Sequence, residues 1–173
     1  MKNRGFYKRK QGVLIVLIGF LVLLFWPQKF TNPVKGAVQS DWNPKSFWYY
    51  PWGKSVTHKG VDIFAKKGTT VVASTGGLVV GKGNSPMGGN YILLLGPKWR
   101  VHYYAHLERI DCKLFHYKKR GSAIGKVGDT GNAKGKPPHL HYTIFTVLPY
   151  FWNCDSGPHG IRKMWYVNPT PFL

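Results

Sequence analysis

The 173-residue chain carries 25 Lys and Arg against six Asp and Glu, a formal charge of +19, with 43% hydrophobic and 16% aromatic residues. That length suffices for one domain with a real core plus short appendages, and the apolar content excludes a disordered polyelectrolyte. A basic excess of this size first suggests a nucleic-acid binder, a reading that the amino-terminal segment overturns.

Lys2, Arg4, Lys8, Arg9 and Lys10 make residues 1–11 a basic stretch, and GVLIVLIGFLVLLFW (Gly12 to Trp26) follows without a charge. These are the n-region and h-region of a signal segment. Fifteen apolar residues are at the short end for a membrane span, which needs roughly 17–25. No small-x-small cleavage site follows in Pro27-Gln28-Lys29-Phe30. The segment 12–26 therefore reads as an uncleaved signal anchor, with secretion after cleavage as the alternative; a buried core helix fits the apolar residues on every side and the basic flank less well. By the positive-inside rule residues 1–11 stay cytoplasmic and the remainder faces the periplasm or the exterior. Residues 27–33, Pro-bounded and polar, read as a linker and 34–173 as one domain.

Export changes the reading of charge and cysteines. Beyond position 12, twenty basic residues face six acids, a balance of +14 in a compartment without nucleic acid. The polyanions there are cell wall, anionic lipid and surface polysaccharide. Cys112 and Cys154 either form one disulfide or remain two unpaired buried thiols.

The exported part is patterned as an all-β domain. Thr70 to Ser74, Leu78 to Gly81, Tyr91 to Leu95, Arg100 to His106 and Leu140 to Val147 are short β-branched or aromatic runs bounded by Gly, Pro or Asn. Turn residues cluster at Gly76-Gly77, Gly83-Asn84, 87–90 and 128–138. Antiparallel sheets are expected, with one short helical turn near Leu107 to Ile110.

Seven histidines against six acids, with His58-x-x-x-Asp62 early and His139-x-His141 late, form a pattern of metal-ligand spacing. In a strand, residues two apart share a face, so His139 and His141 project together; His58 and Asp62 are also an even number apart, with Gly60 allowing a bend. Two neighbouring strands would then line one cavity. Imidazole and carboxylate with one position left to water is the arrangement of catalytic zinc, and two distant cysteines argue against a closed thiolate site.

HKGVDIFAKKGTTVVA (His58 to Ala73), YYAHL (Tyr103 to Leu107) and GDTGNAKGKPPHLHY (Gly128 to Tyr142) resemble the three signature blocks of the M23 peptidases, the lysostaphin-type or LytM-domain zinc endopeptidases that cut peptidoglycan peptides. Weaker similarity runs from Pro33 to Leu173. The resemblance implies a β-sandwich-like domain with an open groove and one zinc ion held by His58, Asp62 and His141. It gives His106 and His139 to catalysis, moving His139 out of the ligand set. His139 would orient or deprotonate the attacking water and His106 would donate to the tetrahedral intermediate and the leaving amine, two roles that sequence leaves exchangeable. All five residues are present, which separates the chain from relatives that have lost ligands and act as regulators.

Three features depart from the common pattern. Lys136-Pro137-Pro138 precedes His139 and Tyr142-Thr143 follow His141; Lys66-Lys67 adds basic charge after Asp62; and Trp42 to Trp52 and Phe151 to Pro158 are aromatic-rich segments without a clear counterpart, either packing under loops or lining the groove. His102, His116 and His159 receive no role. The expectation is an envelope zinc endopeptidase acting on stem or cross-link peptides. Its alternatives are a zinc carboxypeptidase on the same peptides and a non-enzymatic wall-binding regulator.

Overall fold

The computed structural model describes residues 3–173, with side chains from position 9 onward; Lys2 lies outside the described residues, and Arg4 and Lys8 outside the described side chains. The amino-terminal segment forms one helix, α1 (Asn3–Phe25), which ends just before Pro27 because a residue preceding proline is pushed out of the helical region. Most of its apolar side chains from Val13 to Phe25 stay exposed. Among the described residues no helix is long and apolar enough to cross a membrane. Fifteen uncharged residues rise ~22 Å, short of a hydrocarbon core of ~30 Å. The helix touches the domain through Trp99, whose ring stacks on Phe20 at 4.9 Å and whose Nε1 donates to the Phe20 carbonyl oxygen at 3.2 Å. Residues 27–33 lie against the domain: Phe30 stacks on Phe172 at 4.1 Å and the Thr31 amide donates to the Ser74 carbonyl oxygen at 2.9 Å.

Nine strands follow among the described residues: β1 (Val61–Phe64), β2 (Thr70–Val72), β3 (Gly77–Ser85), β4 (Gly89–Leu95), β5 (Arg100–Ile110), β6 (Tyr117–Lys118), β7 (Ala123–Val127), β8 (His139–Thr146) and β9 (Tyr166–Val167). Every pairing is antiparallel. The strands join in one sheet, in the order β1-β8-β5-β4-β3-β6, with β9 beside β8 and the β2–β7 pair attached through β5. Separate antiparallel sheets are thus replaced by one continuous sheet that folds at β5. β5 passes from β8 to β7 at His106, between Ala105, which pairs with His141, and Leu107, which pairs with Val127, and a register shift between Leu107 and Arg109 follows within the β5–β7 pairing; a bulge bends its strand and increases local twist. The helical turn expected at Leu107 to Ile110 is absent for the same reason, since Leu107, Arg109 and Ile110 pair with Val127, Lys126 and Gly125.

Alternation along the strands separates core from site. In β8, Leu140, Tyr142 and Ile144 are fully buried in the core with Ile63, Ile92 and Leu94, so His139, His141 and Thr143 take the opposite face. In β1, Val61 and Ile63 are in the core and Asp62 is turned away from it. The two cysteines are free, so of the two readings left open the unpaired one holds, with Cys112 buried after β5 but Cys154 exposed in the segment after β8.

His102 is wholly buried beneath this sheet. The Gln28 amide oxygen accepts from Arg100 at 2.9 Å, which turns the Gln28 amide nitrogen toward His102 Nε2 at 3.0 Å. His102 Nδ1–H then donates to the Tyr142 hydroxyl at 2.7 Å. Both ring nitrogens are satisfied only in the neutral form. Burial, and then the Arg100 charge, push the imidazole down from 6.5 to about 3. Above pH 6.5 this shift has no effect; as pH falls from 6.5 toward 3 the unfolded chain takes up a proton that the folded chain refuses, removing about 1.4 kcal/mol of stability per pH unit at full effect. Urea denaturation across that window should show a shallower acid loss for His102→Gln than for wild type, and equal slopes would refute the assignment. At neutral pH, Ile92→Ala should lower the urea midpoint with an unchanged m-value, by about 2–5 kcal/mol of stability.

Candidate metal centre

The register of β1 on β8 places Asp62 directly opposite His141. His58 enters from the segment before β1, where its backbone is clamped: the Trp48 amide donates to the His58 carbonyl oxygen at 2.6 Å and the His58 amide to the Tyr49 carbonyl oxygen at 3.0 Å. Gly60 lets this segment close on β8. A β-carbon there would overlap Thr143 Oγ1 and the Tyr142 carbonyl oxygen.

Three side-chain atoms converge. His141 Nδ1 lies 2.8 Å from Asp62 Oδ1, His58 Nε2 lies 3.1 Å from the same oxygen, and the two ring nitrogens are 3.1 Å apart. Partners on the far side set which nitrogens face inward. His58 Nδ1 is 3.0 Å from the Ser46 carbonyl oxygen, which can only accept, so Nδ1 carries the proton and Nε2 presents a lone pair. His141 Nε2 meets Thr143 Oγ1 at 3.0 Å; with the hydroxyl accepting, Nδ1 is a second lone pair. Two imidazole lone pairs and a carboxylate oxygen facing one another repel unless a cation lies between them. Their separations are close to the ~3.3 Å edge of a tetrahedron whose corners are ~2.0–2.1 Å from its centre. His58, Asp62 and His141 can therefore hold one metal ion, and they form the His/Cys/Asp/Glu cluster found among the described residues. The donor set, two imidazoles and a carboxylate, suits zinc. Burial works to raise the Asp62 carboxyl; protons on the facing nitrogens of His141 and His58, which a bound cation would displace, hydrogen-bond to it, outweigh the burial and hold the group far below the usual carboxylate range.

His106 and His139 stand beside the cluster, ring centroids 5.0 Å apart and nearly perpendicular. His106 is 5.9 Å from His141, and His139 packs on Phe64 at 5.3 Å. His106 Nδ1 donates to the Thr130 carbonyl oxygen at 2.9 Å, and His139 Nδ1 donates to the Pro137 carbonyl oxygen at 2.8 Å. In each ring Nε2 is left for the groove. Burial, then the nearby His141 and His139, push His106 down to about 4. His106 is also held at φ 62°, a left-handed conformation uncommon outside glycine, in which its amide donates to the Gly88 carbonyl oxygen at 2.7 Å.

The five residues singled out from sequence are thus brought together, with His139 outside the three-atom cluster. Several partners were not anticipated: the Ser46, Thr130 and Pro137 carbonyls and the Thr143 hydroxyl. Only Thr143 left a signal, because strand alternation places it on the face of His139 and His141. The aromatic segment before His58 has both uses weighed for it, as Trp42 joins the core while Trp52 stacks on the His58 ring at 4.2 Å. Lys67 does not add free charge to the groove; it is paired with Glu108 at 3.0 Å and Asp129 at 2.8 Å. His116 is exposed and His102 lies in the core network described above.

An antiparallel β fold carrying a two-histidine, one-carboxylate cluster beside two further histidines defines a metallohydrolase-type site. Residues 56–150 match Peptidase family M23. The chain is 34% identical over 118 residues to the peptidoglycan DD-endopeptidase ShyA of Vibrio cholerae serotype O1, covering 68% of this chain and 26% of that protein. The catalytic domain of lysostaphin from Staphylococcus simulans superposes with a TM-score of 0.58 at 32% identity, over 73% of this chain and 87% of that one. A zinc-containing peptidase from Vibrio cholerae superposes with a TM-score of 0.55 at 29% identity, over 68% and 37%. The chain belongs to peptidase family M23, a family of metallopeptidases. It spans only about a quarter of the length of ShyA.

If Thr143 orients His141 as the geometry indicates, Thr143→Val should weaken zinc binding roughly 10–100-fold in competition with a chromophoric chelator, with the urea midpoint little changed. Wild-type affinity in the variant would refute that role.

Proposed function

We propose that the protein is a zinc-dependent endopeptidase that hydrolyses peptide bonds in peptidoglycan stems or cross-links. The observation that supports this best is the convergence of His58 Nε2, His141 Nδ1 and Asp62 Oδ1 next to two histidines whose Nε2 atoms face the same groove. One zinc ion bound by His58, Asp62 and His141 would supply Lewis acidity, lowering the pKa of a water and polarising the scissile carbonyl. The protein's own residues supply the proton handling. Because Nδ1 of His139 and of His106 is already committed to a backbone carbonyl, any proton gained by either ring sits on Nε2, facing substrate. His139 takes the proton of the attacking water. His106, neutral at rest, donates to the developing oxyanion and then to the leaving amine only after the proton taken from water has been passed to its Nε2.

Substrate class follows from the relatives, one of which is named a peptidoglycan DD-endopeptidase. The excess of twenty basic over six acidic residues beyond position 12 suits a substrate that carries carboxylates. The basic residues 1–11 and the apolar helix behind them support export and attachment to the outer side of the cytoplasmic membrane, with the groove in the envelope space. Trp52 on His58 and the Ser46 carbonyl stiffen the ligand that is not carried by a strand.

The test is digestion of purified peptidoglycan by the full-length protein, with mass analysis of the soluble fragments. Wild type should release peptide fragments from cross-linked material. His141→Ala should lose both zinc and activity, and His139→Ala should keep its zinc while losing about 10²–10⁴-fold in rate. Release of single amino acids alone would identify a carboxypeptidase. Unchanged material with wild-type protein that contains zinc would identify a non-hydrolytic wall-binding protein.

A further inference from the structure

The end of the domain that meets α1 is apolar, aromatic and exposed. Trp99 packs on Phe20, five residues before the helix ends at Phe25, so the indole lies ~7.5 Å down the helix axis from that end. The turn that carries it is held in an uncommon conformation, with Lys98 and Trp99 both in the left-handed region at φ 61° and 55°. The Val147 amide donates to the Trp99 carbonyl oxygen at 3.0 Å, and Arg100 donates from Nε to the Tyr150 hydroxyl at 3.3 Å. Tyr150 in turn stacks on Trp152 at 5.0 Å. Contacts therefore run unbroken from the helix to the segment after β8, and they leave Trp152 78%, Phe151 68%, Trp26 57% and Val147 54% exposed.

The neighbours of this face indicate what covers it. Singly exposed apolar residues are ordinary, whereas a contiguous cluster marks an interaction surface. This cluster is continuous with a helix whose side chains from Val13 to Phe25 are apolar on every side and mostly exposed, a pattern that lipid can cover all round and a single protein groove cannot. Charge points the same way. Residues 1–40, 63–107 and 130–154, which supply this end of the molecule, contain no acid, and Lys98 is in no ion pair among the described residues. Trp and Tyr beside basic residues are the composition of a membrane–water interface, where the ring is apolar and its N–H or O–H stays wet. The ~7.5 Å offset of Trp99 also falls within the ~5–10 Å to which interfacial elements enter a bilayer.

We infer that Trp99, Val147, Phe151 and Trp152 form a second membrane contact, seated in the interfacial layer of an anionic lipid bilayer around the point where α1 enters it. The contact rests on the membrane attachment proposed above and adds to it the orientation of the domain. β5 and β8 pair from Arg100 and Thr146 at this end to Ala105 and His141 at the metal cluster, five residues or ~17 Å along the ladder. With one end of that ladder seated on lipid and the other carrying the cluster, the site is held at a set distance from the membrane instead of swinging on a single helix.

The test incorporates the full-length protein into vesicles of phosphatidylglycerol and phosphatidylcholine in equal parts, with or without bromine on the upper acyl chain, and reads the fraction of tryptophan emission that bromine quenches. Trp152→Phe and Trp99→Phe should each lower that fraction, because each removes a lipid-facing indole. If the face stands clear of lipid, each substitution removes only unquenched emission and the fraction rises, which overturns the contact. Trp152 is exposed, so its variant should keep the wild-type urea midpoint and carries the test even if Trp99→Phe unfolds. Wild type should be quenched less in phosphatidylcholine alone, and equal quenching overturns the part given to anionic lipid. A raised fraction together with cross-linked dimers assigns the face to a second copy of the chain and overturns the lipid contact. Flotation of the vesicles separates the two readings: wild type that does not float with them overturns membrane attachment and the contact together, whereas flotation with a raised fraction in both variants overturns the contact alone.

Discussion

The antiparallel pairing of β1 with β8 is the constraint on which the rest of the site depends. It sets Asp62 against His141 across the ladder, a separation that no local segment can maintain by itself. Shifting this register by one residue would turn Val61 and Ile63 out of the core and Asp62 into it, so the hydrophobic effect that fixes the core also fixes the carboxylate. Gly60 then allows His58 to complete the set, because the approach of its loop to Thr143 leaves no room for a β-carbon.

Around that pair, orientation comes from groups that never face the groove. Four imidazoles have the outward-facing nitrogen engaged by an oxygen: the Ser46, Thr130 and Pro137 carbonyls and the Thr143 hydroxyl. In each case the tautomer is decided behind the ring, and the reactive nitrogen is left in front. The acidic Asp62 and the low-lying His106 follow from the same crowding, one held charged by its histidine partners and the other kept neutral by burial and its histidine neighbours. His102, of the same residue type one strand-face away, shows the opposite outcome: both nitrogens are spent on Gln28 and Tyr142, and nothing remains for chemistry.

Much of this was legible in the chain. The β-rich class, the five strands from Thr70 to Val147 and four of the site residues could be read from alternation, turn residues and ligand spacing, whereas His106 came only with the family resemblance. Other pairings were missed: β7, whose AIGKV run was not singled out, and β6 and β9, which have two residues each, too few to show a period, and exist only because a neighbouring edge offers hydrogen bonds. Leu107 to Ile110 was misread because local pattern cannot report that β7 is waiting to pair with it. The cysteine pairing stayed open for a related reason, since redox compartment permits a bridge but only the fold decides whether two sulfurs meet.

What the sequence determined by itself is the inventory: which residue types can ligate, accept protons or bury, and at what spacing along a strand. Periods of two and the chemistry of imidazole and carboxylate are local properties, so they survive without a fold. Tertiary structure decided which nitrogen of each ring faces the groove and how the segment after β8 is held against Trp48. Those outcomes depend on contacts between residues as much as a hundred positions apart, as Trp48 and Pro158 are, and distance in space is the one quantity that a linear pattern does not carry.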